Sequence, residues 1–198
     1  MDPLITLGRT LGFSFAAGVN LYATVAMLGF ASRYDWVDLP PQYAVFDNNY
    51  VIGAALVFYV IEFFTDKIPW LDSLWDAVHT LVRPIGGALV AVASLGEASP
   101  GMTTMVALLG GTVAAGSHLT KAGTRLAANA SPEPASNWIL SIAEDIFVVG
   151  LGAFALAYPV AALVVVLLLI VAVVVALTTF VRVLRRWLAG PASTAAGT

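Results

Sequence analysis

The sequence predicts an all-α integral membrane protein, and its composition, its apolar runs and the position of its charges support that class. Of its 198 residues, 60% are hydrophobic and only 11% are charged. A soluble domain carries about a quarter charged residues, so this composition is typical of a chain that lies in a bilayer. Most of the charged side chains fall in two stretches between apolar runs, and these stretches are where we look for function.

Six transmembrane helices are predicted, because a bilayer core needs about 20 mostly apolar residues per helix. The apolar runs cover residues 10–31, 49–64, 84–95, 102–119, 138–157 and 159–181. The third run is short, and Pro84 at its start is typical of a first helical turn. We expect one transmembrane domain over residues 1–190 and a flexible tail over residues 191–198.

The distribution of lysine and arginine predicts the orientation of these helices, because short cytoplasmic loops are enriched in both residues. With both termini in the cytoplasm, eight of the nine lysines and arginines fall on the inner side and Arg33 alone falls outside. We therefore expect a multi-pass protein of the bacterial inner membrane with both termini cytoplasmic.

A short internal similarity suggests an inverted 3+3 repeat. Residues 15–21 (FAAGVNL) resemble residues 113–119 (VAAGSHL), and three predicted helices separate the two copies, so the halves would have opposite orientations. The halves would cover residues 7–96 and 101–188, with Asn20 equivalent to His118. The alternative is that Ala-Ala-Gly is simply a common string in membrane helices.

The first charged stretch begins at the inner end of the second predicted helix. Glu62 and Asp66 are four residues apart, so both lie on one helical face. A carboxylate at that depth needs a cation, a metal ion or a proton, and a transport or binding site would supply one. The alternative is a buried ion pair with Lys121 or Arg125.

The same stretch continues as a polar stripe. Asp72, Asp76, His79 and Arg83 follow one another at intervals of four, three and four, which places them on one face of a helix opposite an apolar face. This pattern predicts an amphipathic helix over residues 71–82 that lies at the cytoplasmic interface. Its polar face either contributes to a functional site or is simply a solvated face with pairing between residues four apart.

The second charged stretch is basic. His118, Lys121, Arg125 and Asn129 form one stripe along the inner half of the fourth predicted helix. Its position favours a network with the acidic residues of the first stretch. It could equally form a site for an anion or a phospholipid headgroup, because arginine matches phosphate oxygens well.

Two adjacent carboxylates lie deep in the fifth predicted helix. Residues 131–137 (SPEPASN) predict a rigid turn before it, and Glu144 and Asp145 follow about two turns inside the helix. Either one of them is protonated or both bind a cation through oxygen ligands. Glu62, Asp66, Glu144 and Asp145 are thus the candidate ligands for a divalent cation.

The polar motifs also resemble those of a known family. They read Glu62-x-x-x-Asp66-Lys67-Ile-Pro69, Arg83-Pro84, His118-x-x-Lys121-x-x-x-Arg125 and Ser131-Pro-Glu-Pro-x-Ser-Asn137 with Glu144-Asp145. The chain resembles, over residues 7–188, the bacterial membrane proteins of domain of unknown function 4126. The resemblance implies a class of membrane protein and assigns no activity to any residue.

The leading interpretation is a small transporter, channel or lipid translocator that works as a homodimer in the lipid bilayer. Its substrate would be an ion or an anionic lipid or solute. The candidate site residues are Asn20, Glu62, Asp66, Asp72, Asp76, His118, Lys121, Arg125, Glu144 and Asp145.

Two alternatives stay open from the sequence. One is a membrane enzyme that acts on lipid or phosphate headgroups, with a divalent cation held by carboxylates and His79 or His118 as acid or base. The other is a structural subunit of a membrane complex. The chain contains no cysteine and carries a net charge of only −3, which argues against thiol chemistry and nucleic-acid binding. No catalytic motif is present, so an enzyme is less favoured.

Overall fold

The computed structural model describes residues 2–130 and 134–188, and every regular element in that part of the chain is helical. The elements are α1 (Pro3–Val19), α2 (Leu21–Arg33), a short 3-10 helix (Pro41–Val45), α3 (Asn49–Thr65), α4 (Pro69–Leu95), α5 (Pro100–Asn129), α6 (Pro134–Ala157) and α7 (Pro159–Leu188). The all-α prediction is confirmed. Residues 131–133 of the predicted turn and the predicted tail over residues 191–198 lie outside the described residues.

The helices begin where the sequence supplies caps. The side chains of Asp2, Asn48 and Ser99 accept hydrogen bonds from backbone N–H groups in the first turns of α1, α3 and α5. Such caps satisfy N–H groups that have no partner within the helix. Prolines in the first turns of α1, α4 and α5 add a backbone angle that already suits a helix.

Helices α1 and α2 form a hairpin that starts and ends at the same end of the bundle. Near the start of α1, the Arg9 guanidinium donates to the Asp38 carbonyl at 3.1 Å. At the end of α2, Arg33 pairs with Asp47 at 2.7 Å. Both partners lie in the loop between α2 and α3, so the two helices run in opposite directions. We call this unit the buried hairpin, and its tip is Asn20.

The chain reverses at Asn20 because this residue ends one helix and caps the next. Its backbone is extended, with φ −146° and ψ 100°. Its N–H donates to the Ala16 carbonyl at 2.9 Å, and its side-chain oxygen accepts from the Ala23 N–H at 2.9 Å. The prediction of one continuous transmembrane helix over residues 10–31 is therefore wrong.

Helix α1 lies at the centre of the bundle and is buried from Gly8 to Val19. Small residues allow its backbone to approach its neighbours. A Cβ atom at Gly18 would overlap the Ser117 side chain and the Ala114 carbonyl, and one at Gly8 would overlap the backbone of Pro159. Close approach through small residues is how membrane helices gain packing energy, since burial from water is not available there.

The two ends of the bundle are named from the start of the buried hairpin, and the last helix runs between them. We call the end that contains Arg9 and the α2–α3 loop the mouth end, and the opposite end the far end. Gly8 packs against Pro159, so α7 starts at the mouth end and finishes at the far end. The start of α1 and the end of α7 therefore lie at opposite ends. The prediction of both termini on one side counted the hairpin as one crossing, and the membrane orientation of the chain stays a prediction.

A folded loop closes the mouth end. The Tyr43 hydroxyl, on the 3-10 helix, donates to Ser94 Oγ at 2.7 Å near the end of α4. Its ring also meets Phe13 of α1 edge to face, at 6.1 Å between centroids. Burial raises the pKa of the Tyr43 phenol, which keeps this hydrogen-bond donor neutral.

The two similar segments lie side by side but run in the same direction. A Cβ atom built at Gly110 would lie 2.8 Å from Ser14 Oγ, and Ser117 packs against Gly18 one to two turns further on. Helices α1 and α5 are therefore parallel, whereas an inverted repeat requires them to be antiparallel. This geometry contradicts the predicted inverted 3+3 relation, and the similar strings serve close helix packing instead.

Helix α4 is a single helix of 27 residues with Pro84 inside it. The predicted interfacial helix over residues 71–82 is wrong, as is the placing of Pro84 at a helix start. The polar stripe at residues 72–83 is buried, whereas Leu74 and Leu81 are exposed on the other face. The stripe was identified correctly, but its polar face points into the protein rather than to water.

Four helices of the described chain are long and apolar enough to cross a membrane. They are Pro69–Leu95, Pro100–Asn129, Ala135–Ala157 and Pro159–Trp187, and the shorter apolar helix Asn49–Thr65 accompanies them. Helix α5 extends ten residues beyond the predicted end at residue 119. These helices are compatible with a multi-pass membrane protein.

The hairpin predicts a labelling pattern that differs from that of a crossing helix. The chain has no cysteine, so Leu4→Cys, Tyr50→Cys and Trp70→Cys give single reactive sites at exposed positions. In membrane vesicles of one orientation, a membrane-impermeant maleimide should label Leu4→Cys and Tyr50→Cys from the same side. Trp70→Cys should be labelled only from the other side. Labelling of Leu4→Cys together with Trp70→Cys would contradict the hairpin.

Candidate functional site

The far half of the bundle contains a buried group of charged side chains around the tip of the hairpin. We call this group the charged cluster. It comprises Glu62 of α3, Asp66 and Lys67 directly after it, Asp72, Asp76, His79 and Arg83 of α4, His118, Lys121 and Arg125 of α5, and Glu144 and Asp145 of α6. Together with Asn20, this set contains all ten residues that the sequence predicted as a site.

Glu62 is the centre of the cluster. Its Oε1 atom accepts from Arg83 Nη2 at 2.7 Å and from Lys121 Nζ at 3.0 Å. The Glu62 and Arg83 side chains are fully buried, and that of Lys121 is 2% exposed. The pairing with Lys121 was one predicted alternative, whereas the pairing with Arg83 was missed because the sequence placed Arg83 at the membrane interface.

Lys121 binds three carboxylates at once. Its Nζ atom lies 3.0 Å from Glu62, 3.4 Å from Asp66 and 3.4 Å from Glu144. An ammonium group has three N–H donors and no acceptor, so these three acids match its full capacity. The acids come from α3 and α6, so Lys121 joins both helices to α5.

Arg125, one turn further along α5, contacts α4, α6 and the end of α3 in the far half of the bundle. Its Nη2 atom lies 2.6 Å from Asp66 and 3.2 Å from Glu144, and its Nε atom lies 3.8 Å from Asp72. Its Nη1 atom also donates to the carbonyls of Asp66 at 3.0 Å and of Asn137 at 3.1 Å. The basic stripe and the acidic stripe thus form the mutual network that the sequence favoured.

Two acids of α4 have more distant cationic partners than the other buried acids of the cluster. Asp76 has one ion pair, with Arg83 at 3.5 Å. Asp72 accepts from Asn129 Nδ2 at 2.7 Å and approaches Arg125 only to 3.8 Å. Both side chains are buried, so a negative charge on either of them is only partly offset by its neighbours.

The tip of the buried hairpin is in direct contact with the cluster. Arg83 Nη1 lies 3.4 Å from the Gly18 carbonyl, which is one of the last carbonyls of α1. Asn20 Nδ2 donates to Asp145 Oδ1 at 3.3 Å. The tip of the hairpin therefore exposes polar backbone and side-chain groups to the charged residues.

His118 is held as a neutral ring. Arg83 Nη1 lies 2.7 Å from its Nδ1 atom, and a guanidinium can only donate, so Nδ1 must accept. The other nitrogen, Nε2, lies 3.2 Å from Thr80 Oγ1, whose own hydroxyl donates to the Asp76 carbonyl. We infer from these partners that the proton of His118 is on Nε2.

His79 is also satisfied without a positive charge. Its Nδ1 atom lies 2.7 Å from the Trp75 carbonyl, so Nδ1 donates, and Nε2 lies 2.8 Å from the Tyr22 hydroxyl, which can donate to it. The ring stacks on Trp75 at 4.4 Å between centroids. Tyr22 and Thr80 were not predicted as part of the site, since no charge or spacing identified them.

The cluster contains more acids than bases. Six carboxylates, from Glu62, Asp66, Asp72, Asp76, Glu144 and Asp145, face four cations, from Lys67, Arg83, Lys121 and Arg125. Lys67 lies at the edge, where its Nζ atom donates to the Phe63 carbonyl at 2.7 Å and to Ser141 Oγ at 3.2 Å. With both histidines neutral, full ionisation leaves an excess of two negative charges. In an apolar environment such an excess must be offset by protons or bound cations.

The four candidate metal ligands do not converge. Glu62, Asp66 and Glu144 are turned towards Lys121, whereas Asp145 faces Asn20. Among the described residues, no group of three or more His, Asp or Glu side chains is arranged to hold a metal ion. An ammonium group thus lies between three of the four candidate ligands.

The cluster can be reached from two sides of the bundle. A crevice of about 180 Å³ between α4 and α5 is lined by Asp72, Asp76 and Arg125. A larger groove of about 450 Å³ reaches Lys121 and Glu144 from the side of α6 and α7. The charged residues are thus largely buried, but two openings lead to them.

Comparison with known proteins gives one finding. A family model described as "Domain of unknown function (DUF4126)" matches residues 7–179. No curated protein and no solved structure matches the chain.

A double-mutant cycle measures how strongly the central ion pair holds the bundle. Arg83→Gln leaves Glu62 without its closest partner and should lower the free energy of unfolding by about 3–5 kcal/mol. The double variant Glu62→Gln/Arg83→Gln should lose less stability than the sum of the losses in Glu62→Gln and Arg83→Gln, by a coupling of up to about 3 kcal/mol. Unfolding of the purified protein by sodium dodecyl sulfate in mixed micelles provides the measurement.

The matched control is Arg33→Gln, because Arg33 makes an exposed ion pair with Asp47. Exposed pairs contribute about 1 kcal/mol or less, so this variant should unfold close to the wild type. Equal losses for Arg33→Gln and Arg83→Gln, or losses in the double variant that simply add, would show that the buried pair is not the central contact.

Proposed function

Because the chain belongs to the family of domain of unknown function 4126, whose description assigns no activity, we propose its function from the geometry of the charged cluster. The protein is a small membrane transporter that takes up and releases protons or small cations at this cluster. One observation carries the proposal: four buried and two half-buried carboxylates face four cations at the tip of the buried hairpin. Excess negative charge at such a site is stabilised by a proton or cation that can bind and leave.

The position of the cluster supports transport more than a purely structural network. A network that only holds helices together reaches its lowest energy when opposite charges balance, since each unpaired buried charge costs free energy. Here Asp72 and Asp76 have weak partners, and both line a crevice between α4 and α5. An ion can therefore reach the acids that the network leaves partly unpaired.

The metal-dependent enzyme is the weaker alternative. It would need several carboxylates around one cation, whereas Lys121 occupies the space between Glu62, Asp66 and Glu144. His79 and His118 have both ring nitrogens engaged with neighbours, which leaves neither ring free to serve as an acid or base.

We place the protein in the bacterial inner membrane with α3–α7 crossing it and the hairpin inserted from one side. The far end is then cytoplasmic, because Lys67, Arg182, Arg185 and Arg186 lie near it, whereas Arg9 and Arg33 lie at the mouth end. The single domain over residues 1–190 and the homodimer remain predictions.

Proton uptake into liposomes tests the proposal. Purified protein is reconstituted with a pH-sensitive dye inside, and a potassium diffusion potential drives protons inward. Wild-type protein should acidify the interior, and Glu62→Gln should slow this by about tenfold or more, a factor that a barrier increase of about 1.4 kcal/mol produces. The same liposomes are assayed for Na⁺ and K⁺ flux.

The matched control is Glu97→Gln, the same chemical change at an exposed residue outside the cluster, which should leave the flux unchanged. Flux of H⁺, Na⁺ and K⁺ no greater than in protein-free liposomes would overturn the proposal. Full flux in Glu62→Gln would show that the cluster does not carry the ion.

A further inference from the structure

A groove on the side of the bundle leads towards the charged cluster. It has a volume of about 450 Å³ and lies between α1, α5, α6 and α7. Its walls are mostly apolar, with contributions from Phe15, Val19, Leu140, Ala143, Phe147 and Leu169. A site of this shape accepts the apolar body of a small molecule.

Glu144 is the charged group that this groove reaches best. Both Glu144 and Lys121 line it, but the Glu144 side chain is 14% exposed whereas that of Lys121 is 2% exposed. Three carboxylates already surround the Lys121 ammonium group, which disfavours it as the partner of an incoming ligand. The polar end of the groove therefore presents the Glu144 carboxylate, whose buried oxygen Oε2 pairs with Lys121 at 3.4 Å and with Arg125 at 3.2 Å.

The charge behind Glu144 favours a cation at this end. The cluster has two more carboxylates than basic groups, and Coulomb attraction is much stronger in an apolar site than in water. Two aromatic rings in the groove, Phe15 and Phe147, meet edge to face at 6.1 Å between centroids. Aromatic faces attract cations as well. Apolar walls together with a negative group at one end favour a ligand that has an apolar body and a positive charge.

We propose that the groove binds a lipophilic cation: a molecule with an apolar body and a single positive charge, which comes from the bilayer and places its charge at the Glu144 carboxylate. This inference names the substrate class of the transporter proposed above and rests on that proposal. On binding, one proton leaves the cluster for the aqueous phase as one positive charge arrives, so the total charge of the site is conserved.

Binding of tetraphenylphosphonium tests the inference. The full-length protein is placed in lipid nanodiscs, and binding of the radiolabelled cation is measured together with proton release in weak buffer. The wild type should bind saturably and release protons. Glu144→Gln should weaken binding by about tenfold or more, whereas the matched control Glu97→Gln should bind like the wild type.

A second pair of variants tests the groove without changing any charge. Ala172 lines the groove on α7, and Ala161 is exposed on the same helix outside it. Ala172→Trp should fill the groove and abolish saturable binding, whereas Ala161→Trp should leave it unchanged. This pair keeps the inference testable even where Glu144→Gln reduces the yield of folded protein.

Several results would overturn the inference. They are absence of saturable binding in the wild type, equal binding in Ala172→Trp and Ala161→Trp, and saturable binding of palmitate in place of the cation. The proton-flux assay contains no lipophilic cation, so the two proposals fail separately. Ion flux without binding of the lipophilic cation would overturn only the proposed ligand class. Binding of the lipophilic cation without any ion flux would overturn the proposed transport function and leave the proposed binding site in the groove.

Discussion

The fully buried ion pair between Glu62 and Arg83 is the contact on which the rest of the structure depends. Glu62 also binds Lys121, so one carboxylate joins α3, α4 and α5. Arg83 in turn contacts the Gly18 carbonyl and His118, which connects the tip of the buried hairpin to the same centre. A charge in an apolar solvent has no water to stabilise it, so these groups must find one another. Helix positions follow from that requirement.

In an apolar solvent, polar side chains face the interior and apolar side chains face outward, which is the reverse of a soluble protein. Helix α4 places Asp72 and Asp76 inside and Leu81 outside, the opposite of a helix on a soluble protein. Polar stripes on α4 and α5 therefore act as the interface between them, while leucine and valine face outward. The excess of acids over bases then has a chemical meaning. A network built only for stability gains from charge balance, whereas here the cationic partners of Asp76 and Asp72 lie 3.5 Å and 3.8 Å away.

Much of this arrangement could be predicted from the sequence. Helical spacing identified both stripes, and the rule that buried charges need partners gave an ion pair of Glu62 with Lys121 or Arg125 as one alternative. The fold of residues 10–31 could not be predicted, because an apolar run of that length fits one crossing helix and Asn20 is a single polar residue within it. Its ability to cap a helix was the available signal. Amphipathicity located the face of α4 but not its partner, since the pattern is the same whether that face meets water or another helix.

The account rests on the claim that positive charge from protons or bound cations neutralises the excess carboxylates of the cluster. Infrared difference spectroscopy of the protein in lipid, recorded while the pH is raised in salt-free buffer, observes this directly through the C=O stretch of protonated carboxylic acids. The account predicts such a band from the buried cluster at neutral pH. It should shift in deuterated water and disappear when a lipophilic cation replaces the protons. A spectrum with every cluster carboxylate ionised at neutral pH, in protein shown to be free of bound cations, would contradict it.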